Sequence, residues 1–395
     1  MPSATTLFHN VGVLLTGDLA APRVPASAVL VEDGRIAALL ANGDVSDIDA
    51  DLVVDVGGAT LAPGLIDSHV HPVIGDWTPR QSQLNWIDSS LHGGVTAMVS
   101  AGEVHTPGRP KDIVGLKALA VVAQRTFDNL RPSGVKVYAG APVIEKGMTA
   151  DDFAELAAAG VRWLGEVGLG SVKAGEEARQ MVAWARAEGM NTTIHTGGPS
   201  IPGSGLIDAD TVLEADPDVV GHINGGHTAP AAAQIQQLCR SARGAIEVVH
   251  NGNGRSALVA LEAARGSGRL SSVILGTDGP AGSGVQPLGI LRMIAHLASL
   301  GGVDPAEAFC MATGNTARAR GLEHGTVEVG RPADLVVLDR PEGSCGSDAL
   351  ETVALGDLPG VALTMVDGVI RSRRSRNTPP AARLPTIVNR RGEDV

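Results

Sequence analysis

Between residues 65 and 278 the chain alternates short apolar runs with Ala-rich stretches of helical composition. The runs fall at 65–71, 95–100, 135–143, 163–167, 192–195, 219–222, 245–249 and 273–278. Strand-helix repetition of this kind implies parallel strands joined by crossover helices, an α/β fold. Eight such units over about 250 residues match a closed (β/α)8 TIM-like barrel. A doubly wound open sheet is the structural alternative, and eight units favour closure.

The two ends of the chain read differently. "NVGVLLTGD", "SAVLVEDGRIAAL" and "DLVVDVGGATLAPG" at the start, and "GTVEVGRPADLVVLD" and "LTMVDGVIRS" near the end, are β-prone runs broken by turn residues such as Asp33-Gly34. That texture predicts antiparallel hairpins. Residues 1–62 and 324–374 are therefore expected to form one small β-sandwich, with 63–323 as the barrel. The Arg- and Pro-rich segment 375–395 is expected as a solvated tail or a strap.

Composition narrows the function. With 51 glycines and only 2% aromatic residues, the core must rest on Val, Leu, Ile and Ala, with many tight turns. A formal net charge of −12 disfavours nucleic acid as a partner, because phosphates would be repelled. No apolar run approaches the roughly 18 to 20 residues that span a bilayer, and the N-terminus lacks the features of a secretory signal. Cys239, Cys310 and Cys345 show neither CxxC spacing nor an even count, so a reduced, cytoplasmic setting is expected.

In a barrel, reacting groups sit at the C-terminal ends of the strands. The first run ends in "GLIDSHVHP", where the i, i+2 spacing points His69 and His71 to one face. The fourth ends in Glu166, the fifth in His195, the sixth in His222 and the eighth in Asp278. Each alone has an ordinary reading: a packed histidine, a buried ion-pair partner, or an Asp opening a turn before Gly279-Pro280. Together they place four imidazoles and two carboxylates on one rim, a donor set suited to two borderline divalent ions such as zinc or iron. Glu166 is the natural bridge, since a carboxylate offers one oxygen to each of two ions about 3.5 to 4 Å apart. Asp278 is the candidate ligand and base. Asp67, one step back on the same face, is expected to orient one histidine through its second nitrogen.

"GLIDSHVHP", "TIHTGG", "VVGHINGG", "ILGTDGP" and "GTVEVGRPADLVVLD" resemble the amidohydrolase superfamily of metal-dependent hydrolases. "GEVGLG" at 165–170, "HTGGPSIPGS" at 195–204, "CMATGN" at 310–315 and "SRNTPPA" at 375–381 extend the likeness to its enamidase-like members over nearly the whole chain. The resemblance implies that His69 and His71 bind the more buried ion, that His195 and His222 bind the other, and that Asp278 is the base. It implies two divalent ions, zinc or a zinc and iron pair, and a homo-oligomer. Many superfamily members bridge their ions with a carboxylated lysine, which makes Lys146 the rival to Glu166.

The implied reaction is hydrolysis of a C–N bond in a small molecule, foremost a cyclic amide carrying a carboxylate. A cyclic imide, an N-acyl amino acid or a deamination substrate is the alternative, and a non-catalytic metal-binding barrel a third reading. Arg80, Arg109 and Lys111 on the loops after strands one and two are candidates to face the carboxylate. His105, His227 and His250, after strands two, six and seven, are candidate substrate contacts. Surface charge pairing is the ordinary reading of each cation.

Overall fold

The computed structural model describes the chain except residues 1–4, 42–44, 46, 73–82, 105–107, 202, 281–283 and 390–395. Its centre is a ring of eight parallel strands: β1 (Leu65–Val70), β2 (Val95–Ser100), β3 (Lys136–Tyr138), β4 (Trp163–Val167), β5 (Asn191–Ile194), β6 (Val219–Val220), β7 (Ala245–Val249) and β8 (Val273–Gly276). Two ladders, β1–β2–β3 and β4 through β8, supply most of the wall. The ring closes where Asp278 N donates to His69 O and His71 N donates to Gly279 O, both at 2.9 Å. Across the other seam, Gly165 N donates to Pro142 O at 3.0 Å and Glu166 N to Ala101 O at 2.8 Å.

Crossover helices wrap the ring, several started by a side chain that takes up a free amide at the first turn. Asp112 accepts from Gly115 N ahead of Ile113–Asn129, and Asp208 from Thr211 N ahead of Ala209–Ala215. Thr149 and Asp152 form a reciprocal capping box at the start of Ala150–Ala158. Their apolar faces and the outer faces of the strands make one continuous core, in which Leu65, Met98, Leu164, Val248 and Leu275 are fully buried.

β3 is shorter than the 135–143 run suggests. Gly140 holds φ +85°, and a Cβ there would lie 2.5 Å from Ala120 O, so extended geometry stops before it. The break lets residues 141–145 turn across the top of the barrel toward β4.

The chain ends build two sheets packed face to face. One orders 369–372, 360–366, 335–339, 60–63, 13–15 and 23–24; the other orders 386–389, 52–55, 5–9, 28–32 and 35–40. Phe8, Val31, Leu61, Leu335 and Met365 fill the space between them. Within the segment read as tail or strap, Thr386–Asn389 is a strand, antiparallel to Leu52–Asp55 of the same chain. Arg383 anchors its approach, with its guanidinium on both oxygens of Asp339 and on Gly58 O. Arg376, on Asp88, and Arg383 thus have intramolecular acceptors, and Ile387 is buried in the sandwich core.

Candidate metal centre

All six residues expected at the strand ends meet at the C-terminal mouth of the ring. His69 lies in β1 and His71 just beyond it; Glu166 lies in β4; His195, His222 and Asp278 follow β5, β6 and β8 by one or two residues. His222 (φ +27°) and Asp278 (φ +57°) occupy backbone regions that non-glycine residues seldom adopt. The turns carrying them are held firmly: Asn251 Nδ2 donates to Asp278 O at 2.8 Å, and His222 N donates to Glu247 Oε2 at 3.2 Å.

Glu166 divides the cluster in two. Its Oε2 lies 3.8 Å from His69 Nε2 and 3.7 Å from His71 Nε2. Its Oε1 lies 2.5 Å from His222 Nε2 and 3.7 Å from His195 Nδ1. Asp278 Oδ1 completes the first group, 3.6 Å from His69 Nε2 and 3.1 Å from His71 Nε2. Each carboxylate oxygen of Glu166 therefore faces its own pair of imidazoles, and the cluster fits a metal site.

The outward nitrogens fix what the inward ones can be. His71 Nδ1 is 2.9 Å from Gly102 O, and His195 Nε2 is 2.7 Å from Gly198 O. A carbonyl only accepts, so each of these nitrogens carries a hydrogen and the opposite one presents a lone pair in the neutral ring. His69 Nδ1 is likewise committed to Glu247 Oε2 at 2.5 Å, and His69 Nε2 is buried with no hydrogen-bond partner among the described residues. Lone pairs of neutral imidazoles and of two carboxylates thus point into one buried space, an arrangement that positive charge must relieve.

The acid-base balance has the same cause. Burial alone would raise the Glu166 carboxyl, yet His222 and His69 hold it well below the usual range. Burial opposes charge on His69, yet Glu247 and Glu166 lift it well above an ordinary imidazole. Asp278 is also lowered: burial is overcome by the His71 hydrogen bond and by His69 and His222.

Two residues outside the expected set support this centre. Glu247, in the middle of β7 and fully buried, accepts from His69 Nδ1, from Ser68 Oγ at 2.5 Å and from Arg320 Nη2 at 2.9 Å. Burial would raise its carboxyl, but His69 and Arg320 bring it down to about 2. Arg320 spends its remaining donors on Ser68, Asn191 and Thr193. Asn251 is the other, on the wall beside Asp278. A lone glutamate inside the apolar run "AIEVV" was the available signal for Glu247.

Several expectations move. Asp67 does not reach a ligand's second nitrogen; it accepts from Thr277 N at 2.8 Å, Thr277 Oγ1 at 2.6 Å and His69 N at 3.2 Å. A register shift between Asp67 and Val70 breaks the alternation that would have kept Asp67 in line with the histidines. Lys146 stands apart from the cluster: its ammonium is 60% exposed and pairs with Glu177 at 3.2 Å. Arg109 turns to Glu145 Oε1 at 3.5 Å and lines a separate small cleft. His250 is half-buried beside Gly289 and is absent from the cavity wall. Arg80 and His105 lie outside the described residues.

Above the cluster opens a cavity of about 340 Å³, walled by His71, Glu166, His222 and Asp278 and by Ser200, His227 and Asn251 on the loops. Val104, Leu169 and Ile201 make its apolar side. Of the expected substrate contacts, His227 is on this wall. No lysine or arginine is among its described residues, Lys111 included.

A strand-closed barrel with imidazoles and carboxylates gathered at this mouth is the architecture of the metal-dependent barrel hydrolases. Residues 60–371 match the model of the amidohydrolase family, and the chain belongs to that family. Among its relatives, the enamidase of Eubacterium barkeri is 45% identical over 383 residues, which cover 97% of this chain and 99% of that one. The crystal structure of enamidase superimposes with a TM-score of 0.94 at 45% identity, covering 98% of this chain and 100% of that one. A dihydroorotase of Syntrophotalea carbinolica is 25% identical, over 88% of this chain and 95% of that one. The β-aspartyl dipeptidase of Fervidobacterium islandicum AW-1 shares the fold, with a TM-score of 0.68 at 19% identity over 94% and 98% of the two chains.

Proposed function

We propose that this protein hydrolyses the C–N bond of a cyclic amide, with two divalent ions held at the barrel mouth. His69, His71 and Asp278 would hold one ion, His195 and His222 the other, and Glu166 would bridge them. The observation that carries the reading is that the two oxygens of Glu166 face different imidazole pairs. Its support as to substrate is the near full-length likeness to enamidase. Zinc, or zinc with iron, suits a set of imidazole nitrogens and carboxylate oxygens.

Ions in such a pair lower the pKa of water and polarise a carbonyl. The chain's own part is acid-base and positional. Asp278 Oδ1, kept ionised by its histidine neighbours, takes the proton of the attacking water. It returns that proton to the ring nitrogen as the acyl C–N bond breaks. Ser200, His227 and Asn251 provide hydrogen-bonding groups around the substrate, while Val104, Leu169 and Ile201 exclude water from its ring. If the leaving nitrogen is an enamine, it tautomerises to an imine, and a second water releases ammonia and leaves an aldehyde.

A panel of lactams, cyclic imides, hydantoins and N-acyl amino acids tests the assignment, with ring-opened product followed by mass spectrometry and ammonia by enzymatic assay. The expected result is the highest kcat/KM on a lactam or enamide. A clear preference for a linear N-acyl amino acid would overturn it.

A further inference from the structure

A second cavity, of about 860 Å³, opens at the opposite end of the barrel, around the N-terminal ends of β4, β5 and β6. Two of the chain's few aromatic side chains line it. Tyr138, the only tyrosine, has its ring centroid 5.6 Å from that of Trp163 and lies nearly parallel to His324, 5.9 Å away. The half-buried Tyr138 ring thus packs between buried Trp163 and His324 at the wall of the opening, in a protein with 2% aromatic residues.

The charge at this opening runs against the rest of the molecule. Arg35, Lys136, Arg162, Arg186, Arg318 and Arg320 line it against four acidic residues, whereas the whole chain carries −12. The acids are engaged: Asp367 with Lys136 and Arg131, Asp218 with Arg186 and Arg243, Glu323 with Arg35, and Asp128 with Gln124. Two guanidinium groups on this wall have no carboxylate partner among the described residues. The Arg318 guanidinium bonds Ser271 O and Asn315 Oδ1, and the guanidinium of exposed Arg162 has no hydrogen bond or ion pair among the described residues.

A polar atom on the wall is also unspent. His324 is buried, its Nε2 lies 2.9 Å from Tyr138 Oη, and its Nδ1 has no hydrogen-bond partner. The nearest carboxylate oxygen, Asp334 Oδ2, is 3.6 Å away and already engaged by Lys136 at 2.6 Å. Burial pushes the imidazole down to about 4 against the pull of Asp334, so it is neutral at physiological pH and adds no charge of its own.

We propose that this cavity is a second small-molecule site, for a planar aromatic monocarboxylate. The ring would lie against Trp163 and Tyr138, since flat π-surfaces stack at low entropic cost. The carboxylate would take the unmatched guanidiniums of Arg162 and Arg318, whose fork geometry suits it. A single carboxylate offers one oxygen to each of these two guanidiniums, whereas a polyphosphate would meet Asp128, Asp218, Glu323 and Asp367 around the same opening.

The test is calorimetric titration of the intact, metal-loaded protein with 2-naphthoate, compared with 2-naphthylmethanol and cyclohexanecarboxylate. Saturable binding is expected, about tenfold or more weaker for each comparator, which lacks either the charge or the flat ring. The Arg162→Ala, Arg318→Ala double variant should weaken 2-naphthoate about tenfold or more. Both positions are exposed, so folding is preserved, and metal content and turnover of the ring substrate should be unchanged. No binding to the intact protein, or equal affinity in the double variant, overturns the site. So does a double variant whose sedimentation coefficient falls, which would assign this face to a contact between copies.

Discussion

Glu247 Oε2 lies 2.5 Å from His69 Nδ1, while Glu247 Oε1 is shared by Ser68 and Arg320. A fully buried carboxylate in mid-strand thus orients the ring of a proposed metal ligand and is itself held by a guanidinium with no solvent contact of consequence. The imidazole lone pair at the mouth is aimed from below.

Removing one side of this contact should cost on both counts. Glu247→Ala leaves Arg320 buried without its anion, and breaking a buried pair costs about 3–5 kcal/mol. The freed ring also loses its tautomer, which should weaken metal affinity about 10–100-fold. Chemical denaturation and zinc titration against a competing chelator measure the two effects. A variant with unchanged stability and affinity would remove Glu247 from the centre.

Asp278→Asn should retain bound metal, because His69, His71 and Glu166 remain, yet an amide accepts no proton at neutral pH. Turnover is expected to fall about 10²–10⁴-fold. Metal analysis alongside kcat separates loss of the base from loss of the site. Full activity in this variant would sink the role assigned to Asp278.

The bridge is tested by a pair of substitutions. Glu166→Ala should lose metal, since both imidazole pairs lose their shared oxygen donor. Lys146→Ala should keep it, because that ammonium only pairs with Glu177 at the surface. The reverse result, or activation by bicarbonate, would restore the carboxylated-lysine reading.

Glu103 gives a pH signature. Burial pushes its carboxyl up to about 8, against some relief from the Gly140 amide. An acid whose pKa is raised on folding stabilises fully below its unfolded value of 4.5, and that contribution is lost as pH rises toward 8. The loss at pH 7 is about 3 kcal/mol by linkage. Glu103→Gln should flatten the decline, so urea midpoints of the two proteins should separate from pH 5 to pH 8. Parallel curves would show that Glu103 is not the group responsible.

The order of strands and helices was legible because each barrel strand is an apolar run bounded by turn residues, and the centre because its members stand at the ends of those runs. Glu247 was hidden inside a run rather than at its end, and its partner Arg320 is 73 residues away, beyond any local spacing rule. Asp67 and Lys146 were misplaced for backbone reasons, a register shift in β1 and the early end of β3. Which loop groups face the cavity depends on turns such as the one that exposes Asn251 and withdraws His250 one residue earlier. Periodicity does not encode that choice.

The strand Thr60–Pro63, which leads directly into β1, lies between Val13–Leu15 and Leu335–Asp339, and Gly64 N and Ile66 N donate to Asp334 O and Ala312 O. During synthesis His69 and His71 therefore leave the ribosome long before Ala312, Asp334 and Leu335–Asp339, which hold the strand from its later side. The wall beneath His69 and His71 thus draws on chain made more than 240 residues after them.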